Sequence, residues 1–162
     1  MNKLVFSFLV LLLLTSCSFQ NYSVEKPVIF ELGNSFDTVK EKIINECEKV
    51  TEKSIVPITA PLAKESQKQI DCFGFLYAGK KRKIELVFQD DQLDLIWILI
   101  PADEKEEIIS KMNELYGAPS MVINYGTIYL QANAAFRNEP SEVLFASKRQ
   151  VEAMLKILSK TN

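Results

Sequence analysis

The sequence predicts an α+β fold in which an antiparallel sheet meander is packed by three helices. Three segments carry apolar residues at the 3.6-residue spacing of amphipathic helices. Shorter apolar runs lie between them, separated by polar turns, and such runs are typical of strands joined in hairpins. At 162 residues, 48% of them hydrophobic, the chain is long enough to bury one core of ordinary size.

The three helices are predicted over residues 36–50, 103–116 and 147–158. The first follows a glycine, with Asn34 or Ser35 as its cap. Asp103 and Glu106 have the spacing of a capping box at the start of the second helix. Ser147 opens the third. Each helix thus has both a cap and an apolar face.

The strands are predicted over residues 28–32, 54–59, 70–77, 83–89, 93–100, 127–132 and 142–146. Polar turns at residues 79–81 and 90–92 join three of them into a meander. The strand over residues 93–100 is apolar on both faces apart from Asp94, so we predict that it is central in the sheet. Asp94 itself is expected at a strand end or edge, where its carboxylate reaches solvent or a backbone donor.

A faint internal repeat is present. Residues 73–77 and 125–129 share the order aromatic, glycine, any residue, aliphatic, tyrosine, and residues 85–88 are echoed by residues 142–145. A real repeat would give two tandem helix-plus-hairpin units that share one sheet. The alternative is a chance match between apolar strands, because the glycine-to-glutamate spacings of 11 and 16 residues differ.

Residues 1–16 are predicted to be a signal peptide and are left out of the fold. Lys3 gives the segment its positive start, and the run from Leu4 to Leu14 is apolar except for Ser7. As a helix, this run would span roughly 16 Å, about half the hydrocarbon core of a membrane. A transmembrane anchor is therefore disfavoured.

The tetrapeptide Leu14-Thr15-Ser16-Cys17 resembles the lipobox of bacterial lipoproteins. The resemblance implies cleavage before Cys17, a diacylglyceryl group on its thiol, and acylation of the new amine, with palmitate among the chains. It also implies a protein of the cell envelope, and Ser18 in place of aspartate favours the outer membrane, facing the periplasm, over the inner membrane. Two or three acyl chains would hold the protein on a membrane. The alternative is an ordinary secretory signal with a chance cysteine.

The predicted organisation follows from this assignment. After the signal peptide, residues 17–26 are expected to form a lipidated tether, because they are short, polar and poorly patterned. Residues 27–162 are expected to form a single α+β domain.

Cys47 and Cys72 are left once Cys17 is acylated. An even pair in an oxidising compartment favours a disulfide, which would close a loop of about 25 residues. The alternative is two small buried hydrophobic residues, since both lie on elements with an apolar pattern. A catalytic thiol is disfavoured, because the chain has no histidine to activate it.

The composition argues against several kinds of function. Without histidine the chain lacks the commonest general base and metal ligand, and three cysteines are too few for a four-thiolate zinc site. Nineteen basic residues against 21 acidic ones leave no positive excess for a nucleic-acid backbone. The sequence has neither a Gly-x-Ser-x-Gly elbow nor a phosphate-binding glycine loop. We therefore predict that the protein is not an enzyme, uses no cofactor or metal and binds no nucleic acid.

The basic run Lys80, Lys81, Arg82 and Lys83 lies at a predicted hairpin tip. It is a candidate for contact with a membrane or a partner, since each basic residue near an anionic surface contributes about 1 kcal/mol. The alternative is a solvated turn that discourages edge pairing.

The aromatic residues are a second candidate for partner contact. Phe73, Phe75 and Tyr77 alternate and are therefore predicted to share one face of a strand, while Trp97 lies on the most apolar strand. Core packing explains most such residues. Any that stay exposed would form a partner-binding patch, because Trp and Tyr are favoured at interfaces.

The domain also resembles two known kinds of secreted α+β protein. The resemblance is carried by residues 32–35 (LGNS), which lead into a helix, by residues 116–119 (YGAP), which close one, and by the aromatic-rich hairpins. It is similar to the BamE (SmpA/OmlA) family, lipoproteins of the outer-membrane β-barrel assembly machinery, and to the tandem-repeat β-lactamase inhibitor protein. The sequence departs from the pattern after Val50, where a Gly-x-Pro exit is missing. The resemblance implies the architecture above and a role in binding or assembling other proteins.

The function predicted from the sequence is that of a lipid-anchored envelope protein acting as a non-catalytic interaction or assembly module. Its expected partners are the membrane, through Cys17, and another envelope protein. The alternative is a lipoprotein that binds a lipid or small molecule in a cavity between helices and sheet. A filled core with an exposed aromatic patch favours the first, and a closed cavity of several hundred Å³ favours the second.

Overall fold

The computed structural model describes residues 22–158. In chain order the elements are α1 (Phe36–Ile43), β1 (Lys49–Ser54), β2 (Gln67–Tyr77), β3 (Lys80–Gln89), β4 (Gln92–Leu99), α2 (Lys105–Tyr116), β5 (Met121–Ile123), β6 (Gly126–Tyr129), β7 (Ala134–Arg137), β8 (Glu142–Ala146) and α3 (Lys148–Leu158). Short 3₁₀ turns precede α2 and follow β6.

All eight strands form one antiparallel sheet, in the order β1-β2-β3-β4-β8-β7-β6-β5. Each half of the sheet is a four-stranded meander preceded by a helix, and β4 pairs with β8 at the centre. The predicted α+β class, an antiparallel meander packed by three helices, is confirmed. The prediction that residues 93–100 form a central strand also agrees with the position of β4.

Each half of the domain consists of one helix and four strands, rather than the predicted unit of one helix and one hairpin. The first repeated motif lies on the second strand of each half, β2 and β6, with Tyr125 in the turn just before β6, so its two copies occupy equivalent positions. The second motif does not. Residues 85–88 lie on the third strand of one half, whereas residues 142–145 lie on the fourth strand of the other.

Helices α1 and α2 cover one face of the sheet, called here the inner face. The ring of Phe36 in α1 lies against that of Phe88 in β3, with centroids 5.1 Å apart. The Tyr129 hydroxyl of β6 donates to the Asn113 side chain of α2 at 2.8 Å. Inner-face side chains of the central strands are fully buried, and burial of one such side chain contributes about 1.5–3 kcal/mol. This layer is the hydrophobic core.

Helix α3 lies on the opposite face, called here the outer face. The Ser147 hydroxyl accepts a hydrogen bond from the Gln150 backbone N–H at 3.2 Å, which caps the helix as predicted. The Gln89 side-chain amide donates to Gln150 at 2.7 Å. Beyond its first turn, Met154 and Leu155 line a groove against the sheet and are both exposed. Helix α3 is thus fixed at its start and covers only part of the outer face.

Strands β2 and β3 are joined by a two-residue turn at Ala78 and Gly79, whose φ angles are 49° and 73°. Positive φ at both central residues is typical of the type I′ turn, whose twist matches that of the flanking strands. We predicted this turn over residues 79–81. Lys80 and Lys81 instead begin β3, opposite Tyr77 and Leu76.

The predicted first helix is too long, because α1 ends at Ile43. Cys47 and Val50 continue its apolar spacing, but Val50 belongs to β1 and pairs with Cys72 of β2. Sheet pairing therefore overrides a helical pattern that the sequence carries past the end of α1.

Several strand predictions were also wrong. Residues 28–32 form turns rather than a strand, and Phe30 among them is fully buried in the core. The edge strand lies at Lys49–Ser54 instead of residues 54–59. We did not predict β5 and β7, which have only three and four residues and so little room for a pattern.

The predicted tether does not extend to residue 26. Val24 is 2% exposed and belongs to the core, and its carbonyl accepts a hydrogen bond from the Tyr77 hydroxyl at 2.8 Å. The Tyr22 hydroxyl donates to Glu107 of α2. Burial and this hydrogen bond raise the pKa of Tyr22 to about 12. The domain therefore begins at or before Tyr22, and residues 17–21 lie outside the described residues.

Candidate functional site

The outer face of the sheet has two unlike halves. Registered neighbours form a row across all eight strands: Thr51, Asp71, Glu85, Trp97, Leu144, Ala135, Ile128 and Met121. The β1–β3 part of this row is polar or charged, and the β8–β5 part is apolar. Trp97, on β4, stands at the boundary.

Trp97 forms the centre of a cluster with two charged residues. The Arg137 guanidinium carbon lies 4.0 Å from the centroid of the Trp97 ring, which is cation–π geometry. Arg137 also donates to the carboxylate of Glu142, its partner across the β7–β8 hairpin. Trp97 and Arg137 are half-buried while Glu142 is buried, so the cluster presents a flat aromatic–guanidinium surface to solvent.

Burial raises the pKa of the Glu142 carboxyl above its ordinary value of 4.5, although Arg137 acts in the opposite direction. The negative charge of Glu85 adds to the rise. Both carboxylates are ion-paired, Glu142 with Arg137 and Glu85 with Lys83.

The raised pKa of Glu142 predicts a specific pH dependence of stability. The folded protein takes up the Glu142 proton at a higher pH than the unfolded chain does. Wild type should therefore gain unfolding free energy relative to Glu142→Gln as pH falls from 7 through the raised pKa, with the full gain reached below pH 4.5. Urea unfolding of both proteins at several pH values measures this difference. Glu139→Gln, on the exposed turn nearby, is the control, and a difference that is flat or falls with decreasing pH would contradict the assignment.

Ion pairs link the acidic side chains of the charged half of the outer face to neighbouring lysines. The Asp71 carboxylate, which is buried, accepts hydrogen bonds from Lys53 and from the Gln69 side chain, the latter at 2.5 Å. Burial raises the pKa of Asp71, but these hydrogen bonds and the charge of Lys83 outweigh it and hold the pKa below its ordinary value. This half is therefore a network in which Asp71 and Glu85 are paired with Lys53 and Lys83, while Lys49 lies over the Phe73 ring.

The apolar half of the outer face carries a groove beneath α3. Val151, Met154 and Leu155 of the helix face Ala135 and Leu144 of the sheet across it. The groove has a volume of about 70 Å³ and is lined almost wholly by apolar atoms. Cavities that bury a drug-sized ligand measure about 300–1,000 Å³. In this state it is too small for such a ligand.

The basic run at residues 80–83 does not form one surface. Lys80 pairs with Glu104 at 3.1 Å, and the buried Arg82 pairs with the same carboxylate at 2.6 Å. Lys81 pairs with Glu48. Lys83 lies on the outer face and pairs with Glu85 and, at 3.6 Å, with Asp71. Contact with a membrane or a partner stays a prediction, but all four cations already have acidic neighbours.

The prediction that Phe73, Phe75 and Tyr77 share one face was wrong. A β-bulge shifts the register between Phe73 and Phe75, with Gly74 at a φ of 80°. The extra residue turns the two later aromatics to the inner face, where both are buried, and leaves Phe73 half-exposed on the outer face. A Cβ on Gly74 would overlap the flexible, exposed side chain of Glu48, which can move aside, so it is the positive φ that favours glycine here.

Cys47 and Cys72 were predicted either to form a disulfide or to be buried as two free cysteines. The structure joins Cys47 and Cys72 in a disulfide, with Cα atoms 5.5 Å apart. It links the segment after α1 to the middle of β2. Cys17, the predicted lipidation site, lies outside the described residues.

Asp94 was predicted to reach solvent or a backbone donor at a strand end or edge, and this prediction was wrong. Asp94 is fully buried, and the Arg149 guanidinium of α3 donates to both of its oxygens, at 2.8 and 2.5 Å. The Ser147 hydroxyl donates to it at 2.5 Å. Asp94 is thus the residue that fixes the start of α3 on the sheet.

Sequence reasoning missed Arg137 and Glu142 as members of the Trp97 cluster. A signal was present, since the two opposite charges lie five residues apart on either side of a polar turn. That spacing brings them together only if the turn is a hairpin, and β7 was not among the predicted strands.

Within residues 22–158, no set of three or more acidic, cysteine or histidine side chains is arranged to bind a metal ion. The helices of this segment also include none that could cross a membrane. Comparison of the chain with protein-family models, curated proteins and solved structures gives no match.

Proposed function

We propose that this protein is a lipid-anchored bacterial envelope protein whose outer sheet face binds another envelope protein without catalysis. The observation that carries the proposal is the Trp97–Arg137 pair, an aromatic ring and a guanidinium stacked on a half-exposed sheet face. Trp and Arg are the side chains most enriched among the residues that dominate binding energy at interfaces.

The surroundings of this pair fit an interface centre. Leu99 lies beside Glu142 in the register and is half-exposed, as is Phe73 on β2. The ion pairs of the charged half supply a polar rim on one side, and apolar side chains continue on the other. An apolar centre with a polar rim is the usual arrangement of a protein–protein interface.

The anchor in this proposal is Cys17, through the lipobox resemblance of Leu14-Thr15-Ser16-Cys17. Ser18 favours retention at the outer membrane, facing the periplasm. Attachment to a membrane raises the effective concentration of the domain toward a partner in the same membrane, so a modest interface would suffice. A part in envelope assembly, as in the BamE-like family, agrees with this arrangement.

A second candidate function is binding of an apolar ligand, and the groove beneath α3 favours it. The groove is apolar, and the C-terminal part of α3 beside it is exposed. An acyl chain would enter only if α3 moved away from β7 and β8. The site would then lie on the outer face and not between the sheet and α1 or α2.

Crosslinking in cells that express the full chain tests the proposed function. A stoichiometric envelope partner should be captured by wild type and lost from Cys17→Ala, which should also leave the membrane fraction. Trp97→Ala should lower the yield of the crosslinked complex at least tenfold, because truncation of a dominant interface residue costs about 2 kcal/mol or more. The matched control is Val56→Ala, which removes an exposed apolar side chain from a loop beyond β1.

A second variant separates binding from folding. Arg137→Lys keeps the positive charge but removes the planar group that stacks on Trp97, so it should weaken capture while the unfolding midpoint stays close to that of wild type. If neither Trp97→Ala nor Arg137→Lys lowers the yield of the crosslinked complex, the proposed interface is contradicted. Recovery of the protein with an extracted lipid but without a protein partner would favour the second candidate, binding of an apolar ligand.

A further inference from the structure

We infer that the surface around Tyr22 faces the lipid bilayer directly and is held there by the shortness of the tether. The inference rests on the proposed anchor at Cys17 and adds the orientation of the domain. We define the bilayer-facing surface by Tyr22, Leu76, Lys80, Lys81 and Leu115.

Cys17 is joined to the domain by a short stretch of chain. Cys17 and Tyr22 are five residues apart in the sequence. An extended chain spans at most about 3.6 Å per residue, so the two Cα atoms lie no more than about 18 Å apart in any conformation. A domain of this length has a radius of gyration of about 14 Å, equivalent to a sphere about 18 Å in radius. An attachment point with this reach cannot lie on the far side of the domain from the membrane.

Tyr22 is held in place on the domain. Its hydroxyl donates to Glu107 of α2, and its ring lies about 3.5 Å from where a Cβ on Gly79 would stand. Val24, two residues later, is in the core. The chain therefore leaves the domain beside the tip of the β2–β3 hairpin and alongside α2.

Exposed apolar and basic side chains surround the attachment point. Leu76 lies near the hairpin tip and is 68% exposed, and Leu115 of α2, which shares a depression with Tyr22, is 41% exposed. Lys80 and Lys81 extend from the tip itself, opposite Tyr77 and Leu76. Exposed leucines, an aromatic ring and long lysine side chains around the point where the chain leaves the domain suit the boundary between headgroups and acyl chains.

Electrostatic attraction by Lys80 and Lys81 does not hold this surface on the membrane. Lys80 is paired with Glu104, and Lys81 with Glu48, so neither lysine brings an uncompensated charge to anionic headgroups. The tether and the apolar side chains provide the contact. Trp97 pairs with Glu85 of β3, which lies about five residues, or 16 Å, along the strand from the hairpin tip. In this orientation the row of outer-face residues that includes Trp97 stays above the bilayer and is accessible to a partner.

Photo-crosslinking of the lipidated full chain in vesicles of phosphatidylethanolamine and phosphatidylglycerol tests this orientation. A benzophenone amino acid is placed at Leu76, at Leu115 or, as the matched control, at Gln92, an exposed position at the opposite end of β3 and β4. Phospholipid adducts are expected at positions 76 and 115 in at least several-fold higher yield than at position 92. Equal yields, or a higher yield at position 92, would overturn the inference.

A longer tether tests the cause. Insertion of 20 Gly/Ser residues after Ser18 gives a mean reach of roughly 25 Å, so the domain can turn freely. Adducts at position 76 should fall several-fold, while the protein stays on the vesicles. An unchanged yield would overturn the tether as the cause.

Mass spectrometry of the N-terminal peptide separates the two proposals. Acyl groups on Cys17 together with equal adduct yields would refute the orientation alone. An unmodified Cys17 would refute the anchor and the orientation with it.

Discussion

Replacement of Arg149 by methionine is expected to destabilise the protein by about 3 kcal/mol. Arg149 donates through two nitrogens to Asp94 and, at 2.9 Å, to the Gln89 carbonyl. Without it, the fully buried Asp94 carboxylate keeps only neutral donors from Ser147 and Gln89. Removal of one member of a buried ion pair typically costs 3–5 kcal/mol. The lower end applies because the Arg149 side chain is 38% exposed and two neutral donors remain.

Urea unfolding measures this effect, and a double-mutant cycle shows its source. In an Asp94→Asn background, Arg149→Met should cost much less, since no charge is left unpaired. Lys148→Met removes the adjacent, exposed cation and is expected to change stability by less than about 0.5 kcal/mol. Hydrogen exchange in α3 should accelerate in Arg149→Met before it does in β3. Equal effects of the Arg149 and Lys148 variants would contradict the role of the buried pair.

The Asp94–Arg149 ion pair was only partly predictable from the sequence. Asp94 was recognisable as a carboxylate in an otherwise apolar strand, but its partner is 55 residues away on a helix that crosses to the outer face. Periodicity assigns a residue to a face and does not specify which distant cation meets it. The class of fold was predictable, because the pattern of each long helix and strand is local.

The Trp97 cluster was less predictable for a related reason. Trp97, Arg137 and Glu142 come from β4, β7 and β8, and they meet only because these strands are neighbours in this order and register. The bulge at Gly74 has a similar effect on the aromatic residues of β2. One inserted residue exchanges the faces of all residues after it, so a regular alternation in the sequence gave the wrong neighbours for Phe75 and Tyr77.

Reduction of the Cys47–Cys72 disulfide is expected to lower the free energy of unfolding by about 3.5 kcal/mol. The bond joins residues 25 apart in the sequence and closes a loop that contains all of β1. In the chain-entropy model, a closed loop of this length restricts the unfolded chain by that amount. Urea unfolding with and without a reducing agent compares the same side chains. A Cys47→Ala/Cys72→Ala variant, which should not respond to the reducing agent, is the control.

The folded structure should survive this reduction, because β1 has other contacts with β2. Six residue pairs join the two strands, and Lys53 of β1 is ion-paired with Asp71 of β2. We therefore expect exchange in β8, at the centre of the sheet, to accelerate only in proportion to the loss of global unfolding free energy, whereas β1, an edge strand, should also open locally and exchange faster still. Loss of the whole fold would instead mean that β1 is held to the sheet mainly by the disulfide. An unchanged unfolding midpoint would mean that the unfolded chain is already compact around residues 47–72, so that closing this loop restricts it little.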